Sequence, residues 1–275
     1  MYADEYIDRN ICLGMSKAIG KFWMLLLVGA MLGGCQQEPP APRIAAASDL
    51  RTALTQVAAA FERDEGTKVE LVFGSSGNFH QQLSQGAPFE VFFSADEHYV
   101  LDLAKAGKAA DQGRLYAIGR IALIAPKGSP LSLDPELKGL RTALANGAIR
   151  HFAIANPEHA PYGKRAREAL EHAGLWQAVQ ARLVLGENVS QALQFVADGG
   201  AQGGIVALSL ARDPALADRA NHVIIPQEWH QPLRQRMVLM KGAGSGARRF
   251  YAFASWPVAR AIFQRHGFAL PAGPD

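Results

Sequence analysis

From Arg43 onward the chain alternates short apolar runs with amphipathic helical stretches, and that alternation restricts the fold more than any other feature. RIAAAS (43–48), KVELVFG (68–74), FEVFFSA (89–95), GRIALIAP (119–126) and HFAIAN (151–156) read as strands, and GGIVAL, HVIIP and MVLM continue the series. Helical patterns lie between them. In LRTALTQVAAAFERDEG, Leu50, Leu54, Val57 and Phe61 share one face. NFHQQLSQG is a short helix, KRAREALEHAG is closed by Gly174 just past its C-cap, and VSQALQFVADGG is stopped by a glycine pair. One more helix covers roughly 247–265. Such spacing predicts an α/β fold with mainly parallel sheets. No internal repeat is visible, and the 275-residue chain is long enough for two lobes.

The first 42 residues follow another pattern. From Met15 the chain reads MSKAIGKFWMLLLVGAMLGGCQQ, with Lys17 and Lys21 as a charged start and Phe22 to Leu32 as an apolar run too short to span a membrane. Residues 1–34 therefore read as a signal peptide, with translation expected at Met15 because MYADEYIDRNICLG is acidic and fits no signal start. Leu32-Gly33-Gly34-Cys35 resembles the lipobox of bacterial lipoproteins, which makes Cys35 the expected lipidation site. The plainer alternative is ordinary secretion, with Cys35 incidental. Residues 35–42 carry the lipid and a Pro-rich tether. Both cysteines, Cys12 and Cys35, precede the folded part, so no disulfide or thiol chemistry is expected in it. The expected location is the periplasm, with the membrane reached only through a lipid anchor.

Composition excludes several functions. A net charge of +3 without a basic run argues against nucleic-acid binding. There is no H-E-x-x-H and no cysteine cluster, so no metal site is expected. FGSSGN (73–78) places Ser75 and Ser76 between glycines but misses the G-x-S-x-G spacing of a nucleophilic serine by one residue. A hydrolase using Ser75 or Ser76 with a histidine such as His80 stays as a remote alternative. Gly242, Gly244 and Ala247 match G-x-G-x-x-A, yet the chain ends too soon for a dinucleotide-binding unit, so the segment reads as a flexible glycine loop. No enzyme and no cofactor is expected.

At four junctions a strand-like run meets a helix: Ser48-Asp49, Ser76-Gly77, Pro161-Tyr162-Gly163 and Glu187-Asn188-Val189. Each offers first-turn N–H groups at the positive end of a helix, and serine or tyrosine hydroxyls add to three of them. Brought together, they would cradle an anion without Lys or Arg. Taken singly, each is an ordinary N-cap.

As a set, AAASDLRTAL, FGSSG, GAPFEVFFSAD, NPEHAPYGKRAREAL, ENVSQAL, GGIV and FQRHGF resemble, in order over about residues 43–270, the extracytoplasmic molybdate-binding proteins of ABC transporters. The resemblance implies a two-lobed periplasmic-binding-protein fold (type II) with mixed, mainly parallel sheets flanked by helices and the ligand in the interlobe cleft. Lobe one would comprise 43–118 plus 233–275, and lobe two 119–232. The implied ligand is molybdate or tungstate, with sulfate, phosphate or another small solute as the alternative. The implied partners are a permease and its ATPase, and a monomer is expected. Carried over by position, the ligand contacts would be the Ser48 hydroxyl and amide, the Asp49 amide, the Ser76 hydroxyl and amide, Tyr162 and the Val189 amide. This chain departs from the pattern in having Ala207 where many members have a tyrosine, Ser190 in place of an arginine, and a carboxylate at Asp49 beside a proposed anion. An inward Asp49 would repel a dianion but could accept the proton of hydrogen phosphate, which keeps phosphate among the candidates.

Overall fold

The run RIAAAS becomes β1 (Arg43–Ala47) in the computed structural model, which describes residues 40–271. The expected signal peptide, the start at Met15, the lipidated Cys35 and most of the 35–42 tether lie outside the described residues. Ile44, Ala45 and Ala46 are fully buried, as a strand covered on both faces requires. A 3-10 turn (Ser48–Leu50) leads into α1 (Arg51–Glu65), which buries Ala53, Leu54, Val57, Ala60 and Phe61 and ends at Gly66 in the left-handed region, φ 65°. Then follow β2 (Glu70–Gly74), α2 (Ser76–Ser84), β3 (Val91–Ser94), α3 (Glu97–Lys105) and β4 (Arg114–Gly119).

After Arg120 the chain builds a second sheet. Its elements are β5 (Ile121–Pro126), α4 (Lys138–Ala145), β6 (Phe152–Ala155), α5 (Pro161–His172), α6 (Trp176–Gln180), β7 (Leu183–Gly186), α7 (Val189–Ala197), β8 (Gly203–Ala207), α8 (Leu208–Ala211) and β9 (Ala220–Ile224). The chain then returns as β10 (Leu233–Leu239), followed by α9 (Ser245–Phe253) and α10 (Pro257–Arg265).

The strand orders are β2-β1-β3-β10-β4 and β7-β6-β8-β5-β9. In the first sheet β1 pairs parallel with β2 and β3, while β10 runs antiparallel between β3 and β4. In the second, β6 pairs parallel with β7 and β8, while β5 runs antiparallel between β8 and β9. Each sheet is therefore mainly parallel with one opposed strand, as expected, and the two are wired alike although no repeat shows in the sequence. The opposed strands, β10 and β5, are the ones that arrive from the other sheet. One hydrophobic core surrounds the second sheet, and two others lie about the first.

Two expectations change. The single helix over 247–265 is two helices, because Pro257 cannot continue a helix but can open one. The segment 242–247, expected as a flexible glycine loop, is in part the start of α9 at Ser245, whose N-cap Gly244 donates its N–H to Glu90 Oε1 at 2.7 Å.

Candidate functional site

The C-terminal ends of β1, β2, β6 and β7 converge, and so do the junctions that follow them. In α/β sheets, ligand sites lie at such strand ends. Ser48, Asp49, Ser76, Tyr162 and Val189, the five residues proposed from the sequence, line one pocket, joined there by Ser75 and Asn188. Its cavity volume is about 10 Å³, close to the space that a single water needs. All five are at most 3% exposed. No Lys or Arg lines the pocket.

The helix caps decide which donors stay available. Before α2, the Ser75 side chain accepts the Asn78 N–H at 3.4 Å, and Gly77 N–H is taken by the His159 carbonyl at 2.9 Å, which leaves the Ser76 amide. Before α7, Asn188 Oδ1 accepts from the N–H groups of Ser190 and Gln191, which leaves the Val189 amide. Ser76 Oγ accepts from Ala95 N–H at 2.9 Å, so its own proton is free to face the pocket. Local sequence thus produces first-turn amides on both walls with their neighbours already satisfied.

The walls are in contact. Ser190 Oγ donates to the Ser48 carbonyl at 2.9 Å, and Ser209 Oγ donates to the Asp49 carbonyl at 2.8 Å. Arg165 pairs with Asp96 at 3.2 Å. A Cβ on Gly77 would run into the His159 carbonyl oxygen, so the second glycine of FGSSGN is required by the close approach of the two walls.

The family described as bacterial extracellular solute-binding protein matches residues 42–269. The chain belongs to this family. It is 33% identical to a molybdate-binding protein, ModA, of Azotobacter vinelandii over 90% of this chain and 97% of that protein. It is also 33% identical to ModA of Rhodobacter capsulatus, over 82% of this chain and 86% of the relative. Among solved structures, the periplasmic molybdate-binding protein of Azotobacter vinelandii superposes with a TM-score of 0.76 at 33% identity, covering 84% of this chain and 99% of that one. These relatives are binding proteins by name.

Within this solute-binding protein, Asp49 is the unusual group. Its side chain is buried, and Oδ2 accepts from Tyr162 OH at 2.9 Å and from Gln235 Nε2 at 2.6 Å. Oδ1 is buried and has no hydrogen-bond partner. Burial pushes the carboxyl up to about 6, against the opposing pull of Gln235, Tyr162 and its own backbone N–H. Tyr116 OH donates to Gln235 Oε1 at 2.7 Å, which fixes the amide so that its NH₂ faces Asp49 and Tyr162. Burial and then the Asp49 charge hold the Tyr162 phenol well above its usual range; the Tyr116 phenol is raised for the same reasons.

The Tyr162 hydroxyl was expected to supply a proton to the ligand, and in this structure that proton is turned to Asp49 instead. Ala207 lies buried at the end of β8 and does not line the pocket. Ser190 joins the two walls. His80 is not beside the serines: its ring lies against Tyr99, 5.3 Å between centroids. The imidazole near Ser75 is that of His159, with Nδ1 at 3.0 Å from Oγ and Nε2 at 3.7 Å from Glu187 Oε2. Sequence reasoning missed Gln235, Tyr116 and His159. A polar residue at an inward position of the apolar-patterned strand LRQRMVL was the available signal for Gln235.

Proposed function

We propose that this protein binds molybdate or tungstate between its two sheets and delivers it to an ABC importer made of a permease and an ATPase. One observation carries the reading: donors foreseen at four separate junctions line one small, buried pocket without a cation. The amides and hydroxyls suit a tetrahedral oxyanion, and the buried Asp49 carboxyl, whose Oδ1 has no partner, is the acceptor that the proton of a hydrogen phosphate would need, which keeps phosphate in competition. The 33% identity to molybdate-binding proteins supports the same ligand. Sulfate and phosphate are the competing anions, and no cofactor enters the reading.

In this reading residues 43–118 plus 233–275 form one lobe and 119–232 the other, and the chain crosses between them near Arg120 and again before β10. Donors come from both lobes, so only the closed form completes the shell, and ligand favours closure. The protein acts in the periplasm as a monomer, held to the membrane by lipid on Cys35. Loss of acyl labelling in Cys35→Ala tests that anchor.

Calorimetric titration of the desalted protein with molybdate, tungstate, sulfate and phosphate tests the function. Sub-micromolar binding of the first two with sulfate silent is the expected result. Binding of sulfate or phosphate alone changes the ligand, and silence toward all four overturns the reading.

The Ser75–His159–Glu187 alignment favours a second reading, an exported serine hydrolase. Against it, Ser75 is buried and its Oγ already caps α2. Labelling by a reactive-serine probe that disappears in Ser75→Ala would establish the hydrolase.

A further inference from the structure

We propose that the pocket takes up its oxyanion together with one proton, held between the carboxyl of Asp49 and the hydroxyl of Tyr162. The inference rests on the oxyanion reading above and adds a second ligand to it.

Tyr162 has one proton, and it goes to Asp49 Oδ2. Its oxygen accepts from Gln235 Nε2 at 3.1 Å, and Gln235 is held in that sense by Tyr116. With Asp49 ionised, the pocket therefore contains a carboxylate, one of whose oxygens is buried without a partner, and a hydroxyl with no proton left for an anion. A dianion arriving there meets a like charge and lacks one donor. One proton from solvent removes both faults. Placed on Oδ2, it donates to the Tyr162 oxygen, the Gln235 bond persists, and the Tyr162 proton is released toward the anion. Placed on Oδ1, it gives the unpartnered oxygen a donor that can serve the anion directly. No other bond is made or broken.

Among the described residues no cation pairs with Asp49; Arg120, next to the Gly119 that packs on the Tyr162 hydroxyl, bears on His230 instead. Packed against its 3-10 turn, α7 and α8 carry no charged residue. On β2 the charge is Glu70 at the exposed far end. On α1 the first charge is Arg51, exposed and lying over the Phe73 ring. Lys164 of α5 lies over Tyr99, and Arg165 pairs with Asp96 and Glu168. Arg234 and Arg236 of β10 pair with Glu97. Among the ionisable groups of the described residues, Tyr162 bonds to the carboxyl and Tyr116 feels its charge. Burial has already raised it to about 6, and a bound dianion raises it further.

Calorimetry of the full-length protein with molybdate and with sulfate, between pH 6 and 8.5 in paired buffers of unlike ionisation enthalpy, tests this. The expected result is uptake of close to one proton per anion at pH 8, with affinity weaker by at least about tenfold at pH 8 than at pH 6. Asp49→Asn places an NH₂ where Oδ1 now lies. It should bind without proton uptake, lose the pH dependence, and exceed the wild type at pH 8. Wild-type binding with no uptake and flat affinity overturns the inference and leaves the oxyanion reading standing. Uptake that survives in Asp49→Asn overturns the assignment to this pair. If that variant does not fold, the wild-type proton count decides alone. Silence toward both anions at every pH overturns the oxyanion reading and the inference with it.

Discussion

At the end of β1 the chain turns at once into Ser48 and Asp49, whereas β6, which holds the same place in the second sheet, is followed by the link 156–160 before Pro161 and Tyr162 open α5. The ends of β2 and β7 are closer counterparts: each is followed by a side-chain cap, Ser75 or Asn188, that satisfies later amides and leaves the first one to the pocket. Equal wiring thus produces equal uncapped first amides at the pocket, while the unequal links bring a carboxylate to one wall and a phenol to the other. The two meet at 2.9 Å. Shared topology sets where the donors stand, and the links decide how their charge is balanced.

The strongest way to break this pairing of walls is Gly77→Val. Its side chain would strike the His159 backbone and hold the walls apart. Overpacking of that kind costs about 1–3 kcal/mol or more, so molybdate affinity should drop at least about fivefold in a titration, while the far-ultraviolet circular dichroism stays native.

Asp49→Asn separates stability from binding. The folded carboxyl sits at about 6 and the unfolded one at 3.8, so between these values the folded state binds more protons and stability falls as pH rises. Above pH 6 the ionised Asp49 costs up to about 3 kcal/mol. Urea unfolding of ligand-free protein should find the variant more stable by up to that amount at pH 7.5, with the difference shrinking toward zero near pH 4. A variant less stable than wild type at pH 7.5 would show the carboxylate to be a net stabiliser.

Ser76→Ala acts on one wall alone. It leaves the buried Ala95 N–H without its acceptor and removes a hydroxyl from the pocket. A loss of about 1–3 kcal/mol in stability or affinity is expected, read by melting and titration in parallel. Tyr162→Phe is the mildest: it deletes the bond to Asp49 and the one from Gln235, both between the walls, and affinity at pH 6 should weaken by about 1 kcal/mol. Should its effect equal that of Ser76→Ala, the phenol would be a full partner of the anion.

Much of the first wall was legible in the sequence. AAAS and FGSSG end in small or hydroxyl-bearing residues just where strand gives way to helix, and the apolar face of α1 followed from its spacing. β4 and β7 were not recognised. RLYAIG begins on a charge and runs into the next strand across Arg120, and LVLG is short and half exposed, so neither carries a clear period. The gap between α9 and α10 was readable from Pro257, which the longer helical pattern obscured.

By itself the sequence determined the α/β alternation, the cap residues and the supply of hydroxyls, because these depend on residues within one turn or one strand of each other. Tertiary structure decided what Asp49 does. Its partners Tyr162 and Gln235 lie 113 and 186 positions away, and no local pattern says that a carboxylate in a strand-to-helix turn will be buried against a phenol from the opposite wall. Burial sets its proton affinity, and burial exists only once both sheets have formed and met.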